Sequence, residues 1–159
     1  MSVARALRPS SSDPGLATLV WVDAREAVLA RWFNGEISFE RMASAVPVHT
    51  RARGRISHDP AIRHGGGLDQ RAEDRQREEH LARFLAEISA ALPDAGPIEV
   101  VGPGTVREKL ARAISEADER GGRPARVVTR STDHLTEPQL AARVRELAGR
   151  PARRRRPGP

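Results

Sequence analysis

The stretch Pro97-Ile98-Glu99-Val100-Val101-Gly102-Pro103-Gly104-Thr105-Val106-Arg107-Glu108-Lys109-Leu110 constrains the fold more than any other. Ile98, Val100 and Val101 form a β-branched run, and Gly-Pro-Gly stops both strand and helix from continuing through it. Thr105 and Glu108 have the T-x-x-E spacing of a capping box. Val106, Leu110, Ile114 and Ala117 then repeat at the interval of one helix face. The reading is strand, tight turn, helix. The same unit recurs downstream: Ala125 to Thr129 is expected as a strand, and Thr136 with Gln139 caps a last helix. Leu135 and Leu140 are placed there as a hydrophobic staple.

Upstream, Leu19 to Val22 and Ala27 to Phe33 are two apolar runs separated by Asp23-Ala24-Arg25-Glu26. Asn34-Gly35 is the favoured dipeptide of a type I′ hairpin, leading into a third strand with Ile37 and Phe39. A three-strand antiparallel meander is the simplest reading. Residues 47–67 are rich in Gly, Pro, Arg and His without a sustained period, so they read as a long loop, and long loops in small domains are commonly functional or disordered. The helix expected over Asp69 to Leu92 is divided. Leu81, Phe84, Leu85, Ile88 and Leu92 form an apolar stripe, whereas Asp69 to His80 is almost wholly polar and should project into solvent, braced by pairs such as Glu73 with Arg77. The fold class is therefore α/β: a mixed sheet built from the meander, a long helix and two strand-helix units. Residues 1–15 read as a disordered leader, 16–149 as a single domain, and 150–159 as a basic flexible tail.

A hydrophobic content of 38% supplies an ordinary core, and Phe and Trp are so few that aliphatic packing must carry most of the burial. Stacked-aromatic nucleic-acid platforms are correspondingly disfavoured. The absence of Cys removes disulfides, thiolate chemistry and Cys-type zinc sites. No apolar run reaches membrane-spanning length and no signal segment is evident, so a cytoplasmic location without membrane partners is expected. The formal net charge is +6, but Arg153, Arg154, Arg155 and Arg156 hold four of those charges and leave the rest nearly neutral. A flexible arginine cluster attracts polyphosphates through counterion release, a salt-sensitive and sequence-blind force.

Several residues invite chemistry. Gly102, Gly104 and Thr105 before a helix could cradle a phosphate, although the spacing is neither a P-loop nor a dinucleotide fingerprint, and a structural turn is the commoner use. Asp23, with Glu26, Asp59 and Asp133, is where a metal-dependent nuclease would place its carboxylates, but no spacing forces them together. His49, His58, His64 and His80 are irregularly spaced, and Trp21 and Trp32 sit on strands as packing groups. No metal or cofactor is assigned. Arg51, Arg53 and Arg55 would fall on one side of an extended segment, and with Arg63 they offer phosphate contacts.

The order of elements, with Val20-Trp21-Val22-Asp23-Ala24-Arg25-Glu26-Ala27, Val100-Val101-Gly102-Pro103-Gly104-Thr105 and Asp133-His134-Leu135-Thr136-Glu137-Pro138-Gln139-Leu140, resembles the central domain of the archaeo-eukaryotic release factor and Pelota family. More closely, it resembles the small bacterial translational machinery proteins. That resemblance implies a ribonuclease H-like fold and work on the ribosome or ribosomal RNA. It aligns the release-factor Gly-Gly-Gln site with Arg63-His64-Gly65-Gly66-Gly67-Leu68-Asp69-Gln70, where Gln70 lies three residues beyond the last glycine. The implied protein is non-catalytic, with Arg51, Arg53, Arg55, Arg63, His64 and the Gly65-Gly66-Gly67 tip contacting RNA and the arginine tail adding nonspecific attraction. The alternatives are a hydrolase, acting on peptidyl-tRNA esters or as a metal-dependent nuclease, and a protein-interaction module using the polar half of the long helix.

Overall fold

The computed structural model describes residues 15–45 and 66–149. The apolar runs pair as strands β1 (Ala17–Val22), β2 (Glu26–Phe33) and β3 (Glu36–Ala43). Helix α1 (Gly66–Ala91) follows, then strand β4 (Ile98–Gly102), helix α2 (Val106–Arg120), strand β5 (Val127–Ser131) and helix α3 (Glu137–Gly149). The five strands form one sheet in the order β3-β2-β1-β4-β5. β1, β2 and β3 are antiparallel neighbours, while β4 lies parallel to both β1 and β5. This is the expected α/β arrangement with a mixed sheet, the meander on one side and the strand-helix units on the other.

The meander turns on chemistry legible in the sequence. Asn34 (φ 50°) and Gly35 (φ 86°) are both left-handed, as a type I′ turn demands. At the other turn the Asp23 carboxylate accepts the backbone N–H groups of Arg25 at 2.7 Å and Glu26 at 2.8 Å. β1 is buried along its whole length because both faces of the sheet are covered where it runs. On one face Val20, Val22, Ala27, Leu29, Ile98 and Val100 pack against Phe84, Leu85 and Ile88 of α1 and Leu110, Ala111 and Ile114 of α2. On the other, Ala17, Leu19, Trp21, Val28, Ala30 and Val101 pack against Leu140, Val144 and Leu147 of α3. Arg31 ties the meander to α1, donating to the Ala91 carbonyl at 2.8 Å and pairing with Glu40 at 2.7 Å.

Three expectations need correction. The last strand lies at Val127–Ser131 rather than Ala125 to Thr129: the Arg126 carbonyl accepts the Ile98 N–H at 3.1 Å, and Val127 is the first residue in register with β4, opposite Ile98. α1 starts at Gly66 rather than Asp69, so Gly66 and Gly67 open a helix instead of forming a loop tip. The polar composition of that first turn gave no hydrophobic signal by which to place the boundary. The third is Thr105. It sits at the N-cap of α2 in a helical conformation (φ −96°, ψ −9°) and makes no side-chain capping bond. A capping hydroxyl needs an extended N-cap backbone, and Glu108, the reciprocal partner, is engaged by Arg107 at 3.1 Å.

The capping box at α3 is formed in full. The Thr136 N–H donates to the Gln139 side-chain oxygen at 2.9 Å and the Gln139 N–H donates to the Thr136 hydroxyl at 3.5 Å, with Leu140 buried and Leu135 packed against the same cluster. Thr136→Ala is therefore expected to cost about 1 kcal/mol, and Thr105→Ala only a few tenths. Urea denaturation midpoints check the contrast, and equal losses at the two sites would refute it.

Candidate functional site

Of the residues that the sequence offers for RNA contact, Arg51, Arg53, Arg55, Arg63, His64, Gly65 and Arg153 to Arg156 lie outside the described residues, as do Asp59, His49 and His58. The described part begins with Gly66, Gly67 and Gln70 in the first two turns of α1. From Gln70 to Glu79 this helix is exposed except at Arg77, so its N-terminal half stands clear of the core that Phe84, Leu85 and Ile88 enter. Arg77 holds it together locally, 3.9 Å from Glu73 and 3.6 Å from Asp74. The arrangement presents alternating charges on a stem that leads back to the 46–65 segment.

The Gly102-Pro103-Gly104 turn is built mainly by the sheet. Gly102 has φ 146°, and a Cβ there would fall 2.1 Å from the Val22 carbonyl oxygen, so the glycine is required where the ends of β4 and β1 converge. The Gly102 carbonyl accepts the Thr132 N–H at 3.2 Å, tying the turn to the segment after β5. The Arg107 guanidinium folds back onto the Gly104 carbonyl and onto Glu108 rather than standing open to a ligand. What remains for a phosphate at Gly104 and Thr105 is a helix N-terminus that no side chain caps, with an acidic Glu108 beside it.

The carboxylates proposed for a metal are dispersed. Asp23 is committed to its turn, and the Asp133 carbonyl accepts the Trp21 indole N–H at 3.0 Å while His134 meets the Trp21 ring edge-on at 5.2 Å. Trp21 is thereby a packing group that anchors the approach to α3. Among the described residues no group of three His, Asp or Glu side chains is close enough to hold a metal ion, and no helix is long and apolar enough to cross a membrane.

Two buried carboxylates carry no motif. Glu99, 2% exposed, lies on the α3 face of β4, where Arg143 donates to it at 2.9 and 3.3 Å and Arg130 of β5 approaches to 3.6 Å. The Glu99 hydrogen bonds, with help from the charges of Glu99 and Glu146, raise the Arg143 pKa against the lowering effect of burial. Asp118, also 2% exposed, receives Arg123 at 2.9 Å and Arg126 at 2.9 and 3.1 Å. Burial raises its pKa, but the two guanidinium groups outweigh burial and hold it below 3.8. The available signal was a carboxylate inside Ile98-Glu99-Val100-Val101: a charge within an apolar strand must find a partner. Beside Glu99 an open groove of about 380 Å³ runs between β5 and α3, lined by Arg130, Leu135, Gln139, Ala142, Arg143 and Glu146.

The sequence matches no protein-family profile and no curated protein sequence. The fold does match a solved structure, that of an archaeal translation termination factor, aRF1. The TM-score is 0.50 at 12% sequence identity. The match covers 82% of this chain and 33% of that one, so the chain spans about a third of the termination factor's length. The likeness is one of fold.

Proposed function

We propose that this chain is a ribosome- or RNA-associated, translation-factor-like protein without catalytic activity, of the bacterial type related to release-factor and Pelota central domains, working in ribosome rescue or a stress response. The observation that carries this reading is the fold shared with a translation termination factor over four-fifths of the chain. The exposed, charged first half of α1 supports it, since that half stands clear of the core and offers a surface to a large partner. The displacement of Gln70, on the second turn of α1 rather than directly after a Gly-Gly pair, supports the absence of peptide release.

Ribosome co-sedimentation of the full chain tests the reading. Binding is expected, is to weaken in Arg51→Ala with Arg63→Ala, and is to leave the melting temperature unchanged. Deleting Arg153 to Arg156 should lower the slope of log affinity against log salt for any polyanion by about 3, the loss of up to four phosphate contacts. No release of peptide from peptidyl-tRNA is expected. Turnover that Gln70→Ala abolishes would replace this reading with a hydrolase, and absence from the ribosomal pellet would refute it.

A further inference from the structure

The two edges of the sheet are unlike. β3 carries Glu36, Glu40 and Arg41, and the last two are spent on Arg31 and on Glu137 at 2.7 and 2.9 Å; inward-looking charges of this kind discourage pairing with another strand. β5 has one charge, Arg130, and among the described residues no strand pairs with its outer side. Its α3 face is bare, because α3 packs on β1 and β2 and stops short of it. Val128 is 50% exposed and the Arg130 side chain 62% exposed, both on the face that carries Glu99 and Val101.

We infer that β5 is a docking edge for an extended peptide of another protein, which adds a sixth strand and lays alternate side chains along the groove between β5 and α3. Backbone hydrogen bonds from the free edge would supply affinity, and side chains two positions apart would supply selectivity. The chemistry of the groove states what they are. Val128, half exposed on the same face, favours an apolar side chain. Arg130 is held only by an ion pair at 3.6 Å to a Glu99 carboxylate that Arg143 already engages with two hydrogen bonds, and its side chain is 62% exposed, so the guanidinium can also meet an acidic side chain. Glu146 is the opposing charge in the groove, but it lies two helical turns, about 10 Å, from the Gln139 end of α3. The partner is thus a proline-free segment with an acidic and an apolar residue two apart. This surface lies on the sheet face opposite α1 and does not depend on the ribosome reading.

Selection of a displayed random decapeptide library on the full chain tests it. The expected consensus is acidic-x-apolar or its reverse, and synthetic peptides carrying it should bind at least tenfold more weakly to Arg130→Glu and to Val128→Lys chains. Exchanging the acidic residue for lysine should restore binding to Arg130→Glu, and methylating the peptide backbone nitrogens should abolish binding to wild type. Thermal melting confirms that both variants fold. A library that yields no consensus overturns the inference, as do selected peptides indifferent to both variants or to N-methylation. A wild-type dimer in sedimentation that Val128→Lys dissociates would assign the edge to a second copy instead.

Discussion

Gly102→Ala is expected to destabilise the domain by at least about 3 kcal/mol, a large share of the 5–15 kcal/mol that holds a small domain together. The Cβ would meet the Val22 carbonyl oxygen at 2.1 Å, and backbone atoms of a central strand cannot move aside as a flexible side chain can. Left-handed strain at a non-glycine residue adds about 1–3 kcal/mol. Gly104→Ala is the control. Gly104 has φ 64° with open space around the Cβ position, so only about 1 kcal/mol is expected. Denaturant titration separates the two. Comparable midpoints would mean that Gly102 is not needed for the approach of β4 to β1, and would reopen the turn as a ligand cradle.

Asp118→Ala should be nearly as damaging, at about 3 kcal/mol, because it strands Arg126, whose side chain is only 11% exposed, without its carboxylate. Arg126 also donates to the Pro93 carbonyl at 2.7 Å, so the loop leading into β4 and the loop leading into β5 loosen together. Replacing Asp118 and Arg126 together by leucine should recover part of the loss, since the buried charge goes with its partner. The acid response follows from the lowered Asp118 pKa. Its stabilising contribution is complete above about pH 3.8, the unfolded value, and is lost as pH falls through the lower folded value. The Asp118→Asn chain should therefore lose less additional stability than wild type below pH 4. Parallel pH profiles of unfolding would show that the Asp118 pair does not contribute.

Much of the architecture was local enough to read from the chain. Asn34-Gly35 dictates its turn by left-handed geometry, Thr136 with Gln139 caps α3 with groups three residues apart, and most of the buried strand β1 appears as the apolar run Leu19 to Val22. Thr105 shows where local spacing misleads. The same box pattern fails when a neighbouring arginine offers the glutamate a better partner and the turn geometry is imposed by a β1-β4 contact. The start of α1 leaves no mark in the sequence, because a helix held by its distant apolar half needs no signal in its first turn.

Periodicity and turn chemistry act over a few residues, so the chain alone dictated its strands, its helices, their order and the division of α1 into a buried and a projecting half. Pairing across the fold obeys no such rule. Glu99 finds Arg143 across 44 residues, and Arg126 reaches back past Asp118 to Pro93. Val128 and Arg130 are exposed only because α3 settles over β1 and β2. Which charges are neutralised in the interior and which strand edge stays open therefore depend on how the layers pack, because burial and partnership are properties of the assembled sheet and helices and not of any segment of the chain.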